Sequence, residues 1–189
     1  MRMEWVVVGV LVAVVLYAVA IFNRLVRQRN LAREGWSGID VQLKRRTDLI
    51  PNLVEAVKGY AAHERGVFEE VAARRASSIA ADSVPDQAAA ERALRGSLGR
   101  LFAVAEAYPE LKASKNFLEL QGQLAQIEDQ IQMARRYYNG TVRNLNISIQ
   151  SFPSNLVAAV LGFRQEPFFE LDDRSEAAAP TVELAQSKP

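Results

Sequence analysis

From Trp5 to Phe22 the chain reads WVVVGVLVAVVLYAVAIF, without a single charge. A helix over these positions is about 27 Å long, close to the hydrocarbon thickness of a bilayer. A helix on the surface of a soluble domain needs a polar face, and this one has none. Trp5 at one end and Tyr17 and Phe22 near the other place aromatic rings where membrane interfaces favour them. The competing interpretation is a cleaved signal peptide, for which Ala18-Val19-Ala20 offers a cleavage pattern. Against it, Arg2 is offset by Glu4, and the run is longer than an ordinary h-region. The sequence therefore predicts an uncleaved transmembrane anchor over residues 1–23.

Orientation follows from flanking charge. Arg24, Arg27, Arg29 and Arg33 come after the span, whereas Arg2 and the terminal amine precede it. Positive charge is retained on the cytoplasmic side. The N-terminus is expected outside, with the long C-terminal part in the cytoplasm. The lipid bilayer is thus the first partner, and the same arginines would meet anionic headgroups. Gly9 and Ala13 form a small-xxx-small pair, a surface on which two spans could close into a homo-oligomer. A Val- and Ala-rich span also produces such a pair by chance.

After the span the apolar period is helical. Trp36, Ile39, Leu43, Ile50, Leu53, Val57 and Tyr60 share one stripe, interrupted only by Arg46. Pro51 lacks the N–H that would bond residue 47, yet the stripe keeps its register across it. The spacing predicts one long helix, kinked between Thr47 and Pro51 and running to about Ala80. A restart with Thr47 or Asp48 as N-cap is the alternative. Asp82-Ser83-Val84-Pro85 signals a new helix. Its stripe is Ala90, Leu94, Leu98, Leu101, Ala105 and Tyr108, and Pro109 ends it.

From Ser114 a third pattern carries Phe117, Leu120, Leu124, Ile127, Ile131, Ala134, Tyr138, Leu145 and Ile149, about 50 Å if unbroken. It continues through the turn dipeptide Asn139-Gly140. After Pro153, Ser154 to Phe163 reads as a short helix closed by Gly162. Pro167, Phe168 and Phe169 are expected to tuck against the bundle. From Asp172 the chain turns to Ala, Pro, Ser and acidic residues, so 171–189 is expected to be a disordered acidic tail. The fold class is all-α: long antiparallel helices in an up-and-down bundle of three or four, preceded by one transmembrane helix.

Chemistry-bearing residues are few. The chain has no cysteine and one histidine, which excludes disulfides, Cys-based zinc sites, iron–sulfur clusters and a thiol nucleophile. His63-Glu64 opens like a zinc-protease motif, but the second histidine position is Val67. A carboxylate-bridged metal pair in a bundle needs Glu-x-x-His motifs that one histidine cannot supply. No catalytic residue, metal or cofactor is therefore expected. A net charge of +1 over 189 residues leaves no phosphate-neutralising excess, so no nucleic-acid partner is expected. Asn139-Gly140-Thr141 and Asn146-Ile147-Ser148 match glycosylation sequons but fall inside a helix, and read as chance matches. Asp40 and Lys44 are spaced for an intrahelical ion pair.

The run Lys44-Arg45-Arg46-Thr47-Asp48 remains. Its ordinary account is a solvated helix face. Its functional account is a docking surface for an acidic partner, formed by Lys44, Arg45, Arg46 and Asp48. Arg46 stands apart, because it occupies a stripe position. Its guanidinium must either snorkel past its neighbours or pair with a carboxylate from another helix.

Several long phrases of the sequence resemble the LemA family. They are FNRLVRQRN from Phe22, GWSGIDVQLKRRTDLIPNLVEAVKGYAAHE from Gly35, YPELKASKNFLELQGQL from Tyr108, ARRYYNGTVRNLNISIQSFPSNLVAAVLGF from Ala134 and FFE from Phe168. Gly35 stands where the family pattern has alanine. The resemblance implies a LemA-like helical bundle domain over 24–170 on a single-pass bacterial membrane protein. It brings no established enzymatic activity, cofactor or catalytic residue. A relative that takes part in building magnetosome membranes implies a membrane-organising or scaffold role. The expected function is a membrane-anchored scaffold or adaptor for membrane or cytoplasmic proteins, and not an enzyme. The alternatives are a self-assembling membrane-shaping protein and a membrane-associated hydrolase.

Overall fold

The computed structural model describes residues 2–171; the tail beyond Leu171, expected to be disordered, lies outside the described residues. Helix α1 runs unbroken from Arg2 to Lys58, 57 residues or about 85 Å. The apolar span and the first bundle helix are thus one element. The N-terminal part is long and apolar enough to cross a membrane, and its Val and Leu side chains are exposed all round. Beyond it only one stripe is buried, including Leu25, Ala32, Ile39, Leu43, Ile50, Leu53 and Val57.

Five further helices follow: α2 (Arg65–Ile79), α3 (Val84–Glu106), α4 (Pro109–Lys112), α5 (Lys115–Gln150) and α6 (Ser154–Val160). There is no strand among the described residues. Ser83 caps α3 by accepting from the Asp86 N–H at 3.2 Å, with Pro85 in the first turn. Trp36 meets Tyr138 and Arg46 meets Glu128, so α1 and α5 run antiparallel along most of their shared length. The α2–α3 hairpin packs against their distal half.

The helix expected to reach Ala80 instead stops at Lys58 and restarts at Arg65. The reason is length. α5 has 36 residues, about 54 Å, and it covers α1 only from the end of the span to Lys58. A straight continuation would carry Phe68 and Val71 into water, whereas the reversal buries both. The turn is held by Ala61 N–H on the Val57 carbonyl at 2.9 Å and Glu64 N–H on the Ala61 carbonyl at 3.0 Å. Tyr60 accordingly leaves the buried stripe and is exposed.

Helix α1 is continuous through Pro51, which faces solvent. Proline leaves the carbonyl of Thr47 without its intrahelical donor. Arg75 from α2 supplies one, its Nε donating to that carbonyl at 2.6 Å.

The core falls into two apolar clusters. The distal one joins Ile50, Leu53 and Val57 to Leu94, Leu98, Leu101, Phe117 and Leu124. The membrane-proximal one joins Leu25, Ala32, Ile39 and Leu43 to Ile131, Tyr138, Val142 and Leu145. The α2–α3 hairpin does not reach far into the proximal half. There an extended strap, residues 163–171, runs back up the α1–α5 pair and buries Phe169 and Leu171. Of the three residues expected to tuck in, Phe169 is fully buried, while Pro167 and Phe168 stay exposed.

Gly35 packs directly against α5. A Cβ there would lie 3.1 Å from the Cα of Tyr138 and 3.3 Å from the Tyr137 ring. An alanine Cβ at this point would require α5 to yield by a few tenths of an ångström.

Candidate functional site

Between the two apolar clusters lies a layer of buried charge. Arg46 is 1% exposed and so is Glu91 of α3. The Arg46 guanidinium pairs with Glu91 through Nη2 and with Glu128 of α5 through Nη1, the latter at 2.6 Å. Glu91 Oε1 also accepts from Ser78 Oγ at 2.5 Å and from Gln87 Nε2 at 2.8 Å. Gln87 Nε2 in addition lies 3.2 Å from the Ser78 carbonyl. Glu128 is partly exposed and has Arg95 at 3.9 Å as a second cation. Two arginines thus face two carboxylates, and all four bundle helices contribute a residue. Arg46 Nε is buried without a hydrogen-bond partner, which subtracts from the stability of the layer.

This geometry removes Arg46 from the set of docking residues. A side chain sealed between helices cannot meet an outside partner, and its role is the interhelical ion pair. Lys44, Arg45 and Asp48 are exposed. Lys44 Nζ lies 3.9 Å from Asp48 one turn on, and Arg45 donates to Gln42 at 3.2 Å. Lys44 and Asp48, with Asp40 and Thr47, rim a cleft of about 230 Å³ whose far wall is Ser78, Ile79 and Gln87. The cleft therefore opens directly above the buried layer.

His63 is exposed in the turn between α1 and α2, at the far end of the bundle. Among the described residues no group of three His, Cys, Asp or Glu side chains is placed to hold a metal. Ser78 Oγ donates to Glu91, a carboxylate already held by Arg46 and Gln87.

The strap is held by a second set of polar side chains, which the sequence had suggested were chance sequons. Asn146 donates to the Glu166 carbonyl at 2.9 Å and accepts the Glu166 N–H at 3.0 Å. Asn139 does the same to Phe169, at 3.1 and 2.9 Å. Each amide thus satisfies both polar groups of one backbone unit, as a neighbouring strand would. Tyr138 Oη donates to the Pro167 carbonyl at 2.9 Å. Burial, reinforced by the negative charge of Glu166, pushes the Tyr138 hydroxyl from 10.0 up to about 12. Trp36 closes the group, its ring 5.4 Å from both Tyr138 and Phe169.

Magnetosome protein MamQ 2 of Paramagnetospirillum magneticum is 25% identical over 87% of this chain and 70% of its own length. Magnetosome protein MamQ of Magnetospirillum gryphiswaldense is similar to the same extent. Protein LemA of Metamycoplasma hominis is 28% identical over 86% of this chain and 74% of its own length. The LemA family pattern matches residues 35–184, which takes in the charged layer and the strap, and the chain belongs to the LemA family.

Proposed function

We propose that this protein is a membrane-anchored scaffold that holds a rigid helical bundle off the bilayer for protein partners. One observation carries the reading: α1 is a single helix from Arg2 to Lys58, with no linker between span and bundle. A hinge would let the bundle sample all orientations, whereas an unbroken helix fixes its face and height. Lys58 stands about 54 Å beyond Phe22 along the helix. The arginines after the span favour a cytoplasmic bundle. Lys44, Arg45 and Asp48 are the charged group offered to a partner, beside the cleft described above.

Crosslinking in intact membranes followed by affinity capture tests this. The wild-type chain should recover a reproducible partner protein, and Lys44→Glu with Arg45→Glu should reduce its yield. Recovery of the chain alone under several crosslinkers would count against a scaffold. The relatives named as magnetosome proteins are consistent with a role in organising membrane-bound structures.

A further inference from the structure

The end of the bundle nearest the span carries an apolar surface that the bundle does not use. Phe152 is 79% exposed and Val160 84%, with Leu156 and Leu161 also more than half exposed. All four lie on α6 or in the turns that flank it. α6 packs beside the span, so Leu156, Val160 and Leu161 line the same groove as Val15, Val19 and Phe22 of α1, about 520 Å³ in volume. The exposed patch is therefore continuous with the surface that faces lipid acyl chains.

The level of α6 along α1 is informative. About 10 Å of helix rise separates Val15 from Phe22. If Trp5 to Phe22 crosses the hydrocarbon, α6 sits within the last 10 Å or so of it, the depth at which interfacial helices bury their apolar face. Arginines surround this level. Arg24 lies beside Phe152, Arg29 stacks on the Phe163 ring at 5.0 Å, and Arg164 is exposed just after the helix. Phe22 meets Phe163 edge-on at 6.1 Å, which ties α6 to the end of the span.

The ends of α6 are capped internally. In lipid every N–H and C=O needs an internal partner. Phe163 N–H bonds the Ala158 carbonyl at 2.9 Å and Gly162 N–H the Ala159 carbonyl at 3.4 Å. Gly162 has a φ of 70°, so α6 ends in a Schellman cap that only glycine forms without strain. At the other end Ser154 Oγ donates to the Ser148 carbonyl at 2.5 Å, and Ser151 Oγ to the Ile147 carbonyl at 2.7 Å.

We propose that α6 and the turn at Phe152 form a wedge embedded in the lipid leaflet on the C-terminal side of the span. The chain then contacts the membrane twice, and its bundle is held upright by two points. This rests on α1 crossing the bilayer.

The chain lacks cysteine, so single labels can be placed cleanly. The full chain with Val160→Cys, Leu156→Cys, Val12→Cys or His63→Cys carries an environment-sensitive fluorophore. It is reconstituted in phosphatidylcholine/phosphatidylglycerol vesicles, with and without lipids brominated on the acyl chains. The labels at 156 and 160 should lose emission to the brominated lipid as the label at 12 does, while that at 63 stays unchanged. Quenching at 12 without quenching at 156 and 160 overturns the wedge and leaves the anchor standing. A blue-shifted but unquenched label at 160 also overturns it, because a second copy of the chain then covers the face. An unquenched label at 12 overturns anchor and wedge together.

Discussion

Arg46→Met removes the cation at the centre of the buried layer, and its cost can be worked from the neighbours. Glu91, 1% exposed, would keep only two neutral donors, Ser78 and Gln87. Leaving a buried charge without its partner costs about 3–5 kcal/mol. Glu128 adds little, because it is partly exposed and retains Arg95. Glu91→Gln is milder. Arg46 then still has Glu128 at 2.6 Å, so the loss is about 1–3 kcal/mol, that of weakened hydrogen bonds. The order Arg46→Met worse than Glu91→Gln is thus a consequence of the geometry and not of charge alone.

Replacing both members by apolar residues, Arg46→Met with Glu91→Leu, removes the desolvated charges together and should recover much of the loss. Thermal unfolding of the full chain in mild detergent, followed by far-UV circular dichroism, is the assay. At about 2–4 °C per kcal/mol for a chain of this size, Arg46→Met should lower the midpoint by on the order of 10 °C. The double variant should lie well above Arg46→Met, with a coupling of about 2–3 kcal/mol. Additive losses, or an Arg46→Met shift of only about 2 °C, would refute the account of the layer as a desolvated ion pair.

Arg75→Met should cost about 1–3 kcal/mol by leaving the Thr47 carbonyl without a donor. In a Pro51→Ala background residue 51 supplies its own N–H, so the same substitution should cost almost nothing; equal losses in both backgrounds would disprove the link. The hydroxyl of Tyr138 titrates higher in the folded chain than when unfolded, so its contribution is complete below pH 10 and lost as pH rises through about 12. Chemical denaturation of wild type against Tyr138→Phe should show a gap that closes over that window, bounded by roughly 3 kcal/mol for a shift of this size; a constant gap would contradict it. Gly35→Val should destabilise by about 2–3 kcal/mol, because the added carbons meet the Tyr138 backbone; an unchanged melting curve would show that α5 yields freely.

The long helices were legible because each buries one stripe at helical spacing, and burial follows Ile39, Leu43, Ile50, Leu53, Leu94, Leu98, Leu124 and Leu145 as the pattern requires. The reversal after Lys58 was not, because Val67, Phe68 and Val71 continue an apolar pattern that serves equally well on a helix folded back. Only the length of α5 decides between them, and length matching is a tertiary fact. Arg46 was visible as a charge in an apolar stripe. Glu91 carries the same signal, three residues before Leu94 on the buried face of α3, but reading the stripe through Ala90 hid it. Two opposite charges in facing stripes point to each other, and that was the clue available. The roles of Asn139 and Asn146 left no trace in sequence, since an amide that clasps a distant backbone has no local pattern. The short helix after Pro153 was legible, but the placing of its exposed apolar side chains beside the span was not, because the span is distant in sequence.

The layer also answers a question that apolar stripes leave open. Leu and Ile recur along α1 and α5 at near-heptad intervals, so sliding one helix past the other by seven residues would rebury similar side chains. Arg46 opposes it. A slip of seven residues in either direction replaces Glu128 opposite Arg46 with Gln121 or Arg135. Glu91 of α3 still pairs with the guanidinium, so losing Glu128 costs about 1–3 kcal/mol, and more where Arg135 brings in a second cation. The ion pair therefore contributes register as well as cohesion. Register here has a consequence at the other end of the molecule. α6 follows α5 directly, so its level along α1 is fixed by how α5 is set against α1. A slip of seven residues would move α6 by about 10 Å along the helix axis. That is enough to pull it clear of the acyl boundary or drive it far beyond it. On the proposed wedge, a buried charge near the middle of the bundle thus helps to set the depth of the apolar surface at its base.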